Sequence, residues 1–276
     1  MEHTILLILG GFIIGTFGTL IGAGGGFILV PVLIIFYPQL APEVTTAISI
    51  AVVAVNAVSG SIAYAKSGKI DYRAGIVFAL FTIPGSILGV LSVKYIPQHL
   101  FNTVFGILLL LLSIYLIYKN RKAAPAVIKC EFPTDKKRFK HHFLTDKEGR
   151  TYEYSYNQTN GIIISVLVGY LSPLLGIGGG IIHVPAMVNW LQFPIYIATA
   201  TSHFILAVMA TVSVIVHYLD GNYSDPAVVR MILLLALGVV PGAQLGAYLS
   251  HRLKGNTIIK VLAGCLIIVG VRILMK

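Results

Sequence analysis

Residues Gly22–Pro31 read GAGGGFILVP, and residues Gly176–Pro185 read GIGGGIIHVP. The two stretches start 154 positions apart, each inside a long apolar run. Hydrocarbon offers no water to a broken helix, so an interruption persists there only where the freed backbone groups find partners or line a site. Interruptions at matching places in two halves of a chain point to a binding site built between repeats.

The apolar runs extend outward from these clusters. The chain has 276 residues, 57% hydrophobic and 11% charged, against roughly 25% charged in a soluble domain. Apolar segments fall at about 4–37, 44–65, 74–94, 99–118, 161–192, 197–219, 227–250 and 256–275. Residues 4–37 as one straight helix would reach roughly 50 Å, too long for a ~30 Å hydrocarbon core. The glycines divide this run into 4–21 and 26–37, and its counterpart into 161–175 and 180–192. The opening MEHTILLILGG lacks a basic n-region, so the first segment reads as uncleaved.

The halves match elsewhere in the same order. Thr46–Ser49 (TAIS) matches Thr199–Ser202 (TATS), and Ser67–Asp71 (SGKID) matches Asp220–Ser224 (DGNYS). Pro84-Gly85 with Gly89 matches Pro241-Gly242 with Gly246. This argues for internal duplication. The expected fold is an all-α polytopic membrane protein of two homologous four-segment repeats. An N-terminal membrane repeat occupies 1–118, a basic linker 119–160 and a C-terminal membrane repeat 161–276. Each repeat begins with a glycine-broken helix pair followed by three transmembrane helices. A re-entrant pair leaves three crossings per half and inverts the second half; a crossing pair makes the halves parallel. Ten of the 20 Lys/Arg lie between Lys119 and Arg150, which places the linker in the cytoplasm under either topology. The inverted arrangement, with both termini outside, is the expectation.

Glycine permits positive φ and close backbone approach. A helix that starts just after such a cluster aims free N–H groups and its positive dipole end into the break, a ready site for an anion. Gly22, Gly24, Gly25 and Gly26 with Gly176, Gly178, Gly179 and Gly180 are the candidate backbone donors, with the anion between the two clusters. Close helix contact through small residues is the competing explanation. Ser49, Asn56, Ser202 and His203 lie near the TAIS and TATS segments and could complete the shell, because hydroxyl and amide donors bind an anion without a buried charge. His183 follows the second cluster, where the first half has Leu29. Gln244 is a further polar candidate, and His217, near a loop, is expected to reach the surface.

No Asp or Glu occurs in 74–119, 161–219 or 227–276. Cation carriers usually place carboxylates in the membrane, so the donors favour an anionic substrate. No nucleophile–base pair and no metal-ligand spacing is visible: the chain reads as a non-enzyme without cofactor or metal. Half of the Lys/Arg lie in the linker, and the net charge of +10 does not indicate nucleic acid. Cys130 and Cys265 read as unpaired thiols. The linker reads as solvated, with TYEYSY as a candidate short strand.

With the two GxGGG…VP clusters, the TAIS and TATS segments and the paired PG…G motifs, the chain resembles the TauE/SafE (sulfite exporter) family of membrane permeases. The resemblance covers both apolar halves. It implies a plasma-membrane carrier of small sulfur-containing anions such as sulfite, sulfoacetate or related organosulfonates; the paired breaks suggest alternating access. It does not encode direction of transport, oligomeric state, or whether coupling runs through a histidine proton or the membrane potential. A passive anion channel, or a carrier of another small anion, is the alternative.

Overall fold

A computed structural model describes residues 2–122, 139–250, 263–264, 267 and 270–273. Residues 123–138, with Cys130, and Cys265 lie outside the described residues. The elements run α1 (Glu2–Ile21), α2 (Gly26–Phe36), α3 (Pro42–Ser67), α4 (Tyr72–Val93), α5 (Gln98–Lys122), β1 (Phe139–Thr145), β2 (Thr151–Asn157), α6 (Gln158–Leu175), α7 (Gly180–Asn189), α8 (Ile195–Leu219) and α9 (Pro226–Ser250). Seven described helices are long and apolar enough to cross a membrane. At 11 and 10 residues, α2 and α7 are not. The chain is a mostly helical, multi-pass membrane protein.

The breaks fall where the glycines put them. Gly22 and Gly176 end α1 and α6 in the left-handed conformation (φ 77° and 68°), and the freed carbonyls are recaptured in the manner of a glycine C-cap. The N–H groups of Ala23 and Gly24 donate to Gly18 (2.7 and 3.0 Å); that of Ile177 donates to Ser172 (3.2 Å). Pro31 and Pro185 sit inside α2 and α7 without ending either helix.

Matching helices make matching contacts. The α1 helix packs most extensively on α9, and α6 on α4, so the first helix of each half lies against the other half. Gly85 faces Val166 and Gly169, while Gly89 faces Tyr170 and Leu174. Gly242 faces Phe12 and Thr16, and Gly246 faces Thr16 and Leu20. The paired PG…G motifs are thus grooves in which two backbones meet. Contacts rise together along both chains, so each of these pairs runs parallel.

The α3 and α8 helices cross antiparallel. Tyr223, just past α8, donates to the Ala47 carbonyl near the start of α3 (3.0 Å). The Asp71 N–H, just past α3, donates to Thr201 near the start of α8 (3.0 Å). One end of the bundle therefore carries the start of α1, the α2–α3 turn, the α4–α5 turn and the α8–α9 loop, joined by Lys94–Asp220 (3.4 Å) and by the cluster of Leu7, Tyr37, Leu40 and Tyr223. The α1–α2 pair leaves and returns to that end. The α6–α7 pair does the same at the opposite end.

The expected solvated linker is corrected over residues 139–157. They form an antiparallel hairpin, registered Phe139↔Asn157 to Thr145↔Thr151. Alternation in TYEYSY puts Tyr154 and Tyr156 on one face, and both are buried in a cluster with Phe78 and Phe193. The hairpin turn centres on buried Asp146. Burial opposes its ionisation, but the Arg150 and Glu148 N–H groups and the Lys69 ammonium hold its carboxyl below the usual carboxylate range.

Two adjacent glycines give a stability test. A Cβ on Gly10 meets nothing, whereas one on Gly11 collides with the Leu235 backbone. Gly10→Ala removes helix-interior flexibility and gains up to about 1 kcal/mol; Gly11→Ala pushes α1 from α9 and costs about 1–3 kcal/mol. Thermal unfolding in detergent should show an unchanged or raised Tm for the first and a lowered Tm for the second. Equal Tm values contradict the α1–α9 seam.

Candidate functional site

The two glycine breaks meet in the centre of the molecule, backbone against backbone. A Cβ on Gly26 would strike the Gly176 carbonyl and lie 2.8 Å from the Ile177 carbonyl carbon. A Cβ on Gly180 would strike the Gly22 carbonyl and lie 2.7 Å from the Ala23 Cα. The contact is reciprocal, with each half's second helix starting on the other half's break. Gly24 and Gly178 both pack on Val53, at φ of 78° and 77°. No room is left between the clusters, so an anion lying between them is not what this geometry offers. The breaks are a clasp, and a small cavity lies beside it.

That cavity is lined by Thr82, Val168, Gly179, Gly180, His183, Ser202, Ile205, Leu206 and Met209. It has room for about one water molecule. Four candidate residues border it: Gly179, Gly180, His183 and Ser202. The start of α7 has no side-chain cap. Among the described residues, the Gly179 and Ile181 N–H groups have no acceptor, as expected for a first helical turn.

Two hydroxyls add to these donors. The Oγ atoms of Ser202 and Ser172 are buried without a hydrogen-bond partner. Ser202 lines the cavity; Ser172 Oγ lies 3.2 Å from where a Cβ on Gly179 would stand. An unpaired buried hydroxyl costs about 1–3 kcal/mol, and two at one helix start are unexplained by side-chain contacts alone. His183 has its Nε2 3.4 Å from Ser165 and its ring edge-on to Phe78.

The first break carries a different polar set. Thr19 donates to Asn56 Oδ1 (2.8 Å) and sits 3.4 Å from His203 Nε2. Tyr64 donates to the Thr19 carbonyl (2.8 Å) and packs edge-on against His203. Asn56 Nδ2 is buried without a partner. A Cβ on Gly18 would lie 2.7 Å from it and 2.5 Å from the Gly25 nitrogen, so the free amide and the uncapped α2 start face one small volume. Although on α8, His203 serves the first-half cluster.

Three expected residues make contacts that sequence did not announce. Ser49 donates to the Gly176 carbonyl across the two halves (2.6 Å) and tightens the clasp. The Gln244 amide bonds the Ser59 carbonyl and hydroxyl (2.8 and 2.9 Å) and ties α9 to α3. His217 does not reach the surface: it is buried, with Nδ1 3.1 Å from Asn222. Sequence reading passed over Thr19, Ser172 and Thr82. For Thr19 and Ser172 the signal was available: each is a hydroxyl one turn before the first glycine of its cluster.

The chain is similar to known membrane transporter proteins. The family model described as sulfite exporter TauE/SafE matches residues 7–273. A probable membrane transporter protein of Bacillus subtilis, YunE, is 33% identical over 100% of this chain and 98% of its own length. A probable membrane transporter protein of Methanocaldococcus jannaschii, MJ0441, is 26% identical over 98% of this chain and 95% of its own. No solved structure matches.

Ser49 and Ser202 occupy matching sequence positions with opposite hydrogen-bond status. Ser49→Ala should lower stability by about 1 kcal/mol, because it leaves the Gly176 carbonyl without its donor. Ser202→Ala should leave stability unchanged or raise it. A chemical-denaturation or thermal comparison in detergent reads this; a larger loss for Ser202→Ala rejects the assignment of Ser202 as an unpaired donor.

Proposed function

The chain belongs to the sulfite exporter TauE/SafE family and is a multi-pass membrane transporter, and from that premise we propose that it carries small sulfur-containing anions such as sulfite, sulfoacetate or a related organosulfonate. The observation carrying this reading is a cavity lined by the unpaired Ser202 hydroxyl and the uncapped start of α7, with the unpaired Ser172 hydroxyl beside Gly179. Such an array favours an oxyanion, because donors in a low-dielectric interior interact strongly with negative charge. Gly25, Gly26 and Asn56 offer a comparable set at the first break.

The two halves are inverted repeats, in this reading. Equivalent helices α3 and α8 run antiparallel, and each broken pair returns to its own end, as an axis in the membrane plane requires. The basic hairpin end faces the cytoplasm of the plasma membrane by the positive-inside rule, and the start of α1 lies outside. The anion site opens to the two sides in turn as the halves rock about the clasp. His203 contacts first-half residues from a second-half helix, which makes it the coupling candidate if a proton accompanies the anion.

Sulfite uptake into proteoliposomes tests the site. Ser172→Ala and Ser202→Ala should each raise KM about tenfold or more, the effect of losing one hydrogen bond to a charged ligand. Gln244→Ala should leave KM unchanged. Saturable uptake with wild-type KM in both serine variants rejects the site; flux that never saturates favours a channel.

A further inference from the structure

The hairpin covers the end of the bundle beneath which the cavity lies, and it is held there by buried polar contacts. Asp71 caps α4 through Ala74 (3.0 Å), while its other oxygen accepts from Tyr154 (2.6 Å) and lies 3.0 Å from His142 Nδ1. Burial and then the Asp71 carboxylate push the Tyr154 hydroxyl upward, so it stays a donor. Lys69, itself buried, reaches Asp146 (3.7 Å) and Glu148 (3.6 Å) on the hairpin turn, and the Lys147 N–H donates to the Ser67 carbonyl (3.2 Å).

An aromatic column leads inward from these contacts. Tyr154 and Tyr156 pack on Phe193 with ring centres 4.7 and 4.8 Å apart. Tyr156 meets Phe78 edge-on at 5.8 Å, and Phe78 meets His183 at 6.3 Å. His183 is a wall of the cavity. The matching loop at the other end, Asp220–Ser224, bears no hairpin among the described residues, and its Asp220 makes only a partly exposed pair with Lys94.

We propose that the 139–157 hairpin is a gate over the cavity at the second break, latched to the Ser67–Asp71 turn, and that it must lift for the anion to pass at that end. The proposal rests on the cavity being the transport site. Buried charge pairs suit a latch: their mutual attraction largely offsets lost hydration, so release into water is not prohibitive. The aromatic column supplies the seal, and lifting it would widen a cavity too small for an oxyanion as it stands.

Two experiments in a background with Cys130 and Cys265 replaced test the gate. In the first, Ser67→Cys with Lys147→Cys is closed by a short thiol crosslinker in proteoliposomes. Crosslinking should reduce sulfite flux about tenfold or more, and a cleavable linker should restore it on reduction, which also shows the variant is folded. Measurable flux that is equal in both states overturns the gate. In the second, Ser202→Cys is labelled by a polar thiol reagent in nanodiscs, with no substrate present. Asp71→Asn or Tyr154→Phe should speed labelling about tenfold, the effect of removing a charged hydrogen bond from the closed state. An unchanged rate in both overturns the gate even if sulfite is transported. Latch-dependent labelling without sulfite transport keeps the gate and rejects the substrate reading.

Discussion

Two helix breaks touching backbone to backbone is the constraint on which the rest of the molecule depends. Gly26 lies on Gly176 and Ile177, and Gly180 on Gly22 and Ala23, at separations that no side chain permits. The contact needs glycine twice over, for the approach itself and for the left-handed turns at Gly22, Gly24, Gly176 and Gly178. Each half thereby presents its second helix to the other half's break, and Ser49 fastens the junction from α3. The α1–α9 and α4–α6 seams repeat the principle at the flanks, where Gly85, Gly89, Gly242 and Gly246 let backbones meet.

The donors follow from the clasp. Because α2 and α7 begin at glycines, their first turns have no side-chain caps. Around α7 the unpaired hydroxyls of Ser172 and Ser202 add to this deficit. Around α2 the deficit is partly relieved, since Thr19 engages Asn56 and approaches His203. The two halves are thus alike in backbone and unlike in polarity: Met209 and His183 stand on one side where Asn56 and Leu29 stand on the other.

Much of the helical layout was legible in the sequence, because hydrocarbon makes apolar length and glycine clusters almost unambiguous. The pieces 4–21, 26–37 and 161–175 differ from α1, α2 and α6 by at most a few residues. What was hidden depends on tertiary partners. The contact between clusters needs the backbone path, so the sequence placed a ligand where the clasp is. Gln244 pairs with Ser59, 185 positions away, a contact that no sequence pattern announces. The hairpin was half visible, since TYEYSY announced a strand, but the neighbours that bury Tyr154 and Tyr156 lie on α4 and the α7–α8 turn.

The hairpin and the clasp divide the work between them, one holding a fixed centre and the other covering a route to it. The measurement that tests the central claim most directly is the location of a heavy-atom oxyanion in crystals of the full chain, using selenite as a sulfite stand-in and its anomalous scattering as the label. The account predicts a peak beside Gly179 and Gly180, within hydrogen-bond reach of the Ser172 and Ser202 hydroxyls. A saturated peak elsewhere, with this cavity empty of it, would contradict the account.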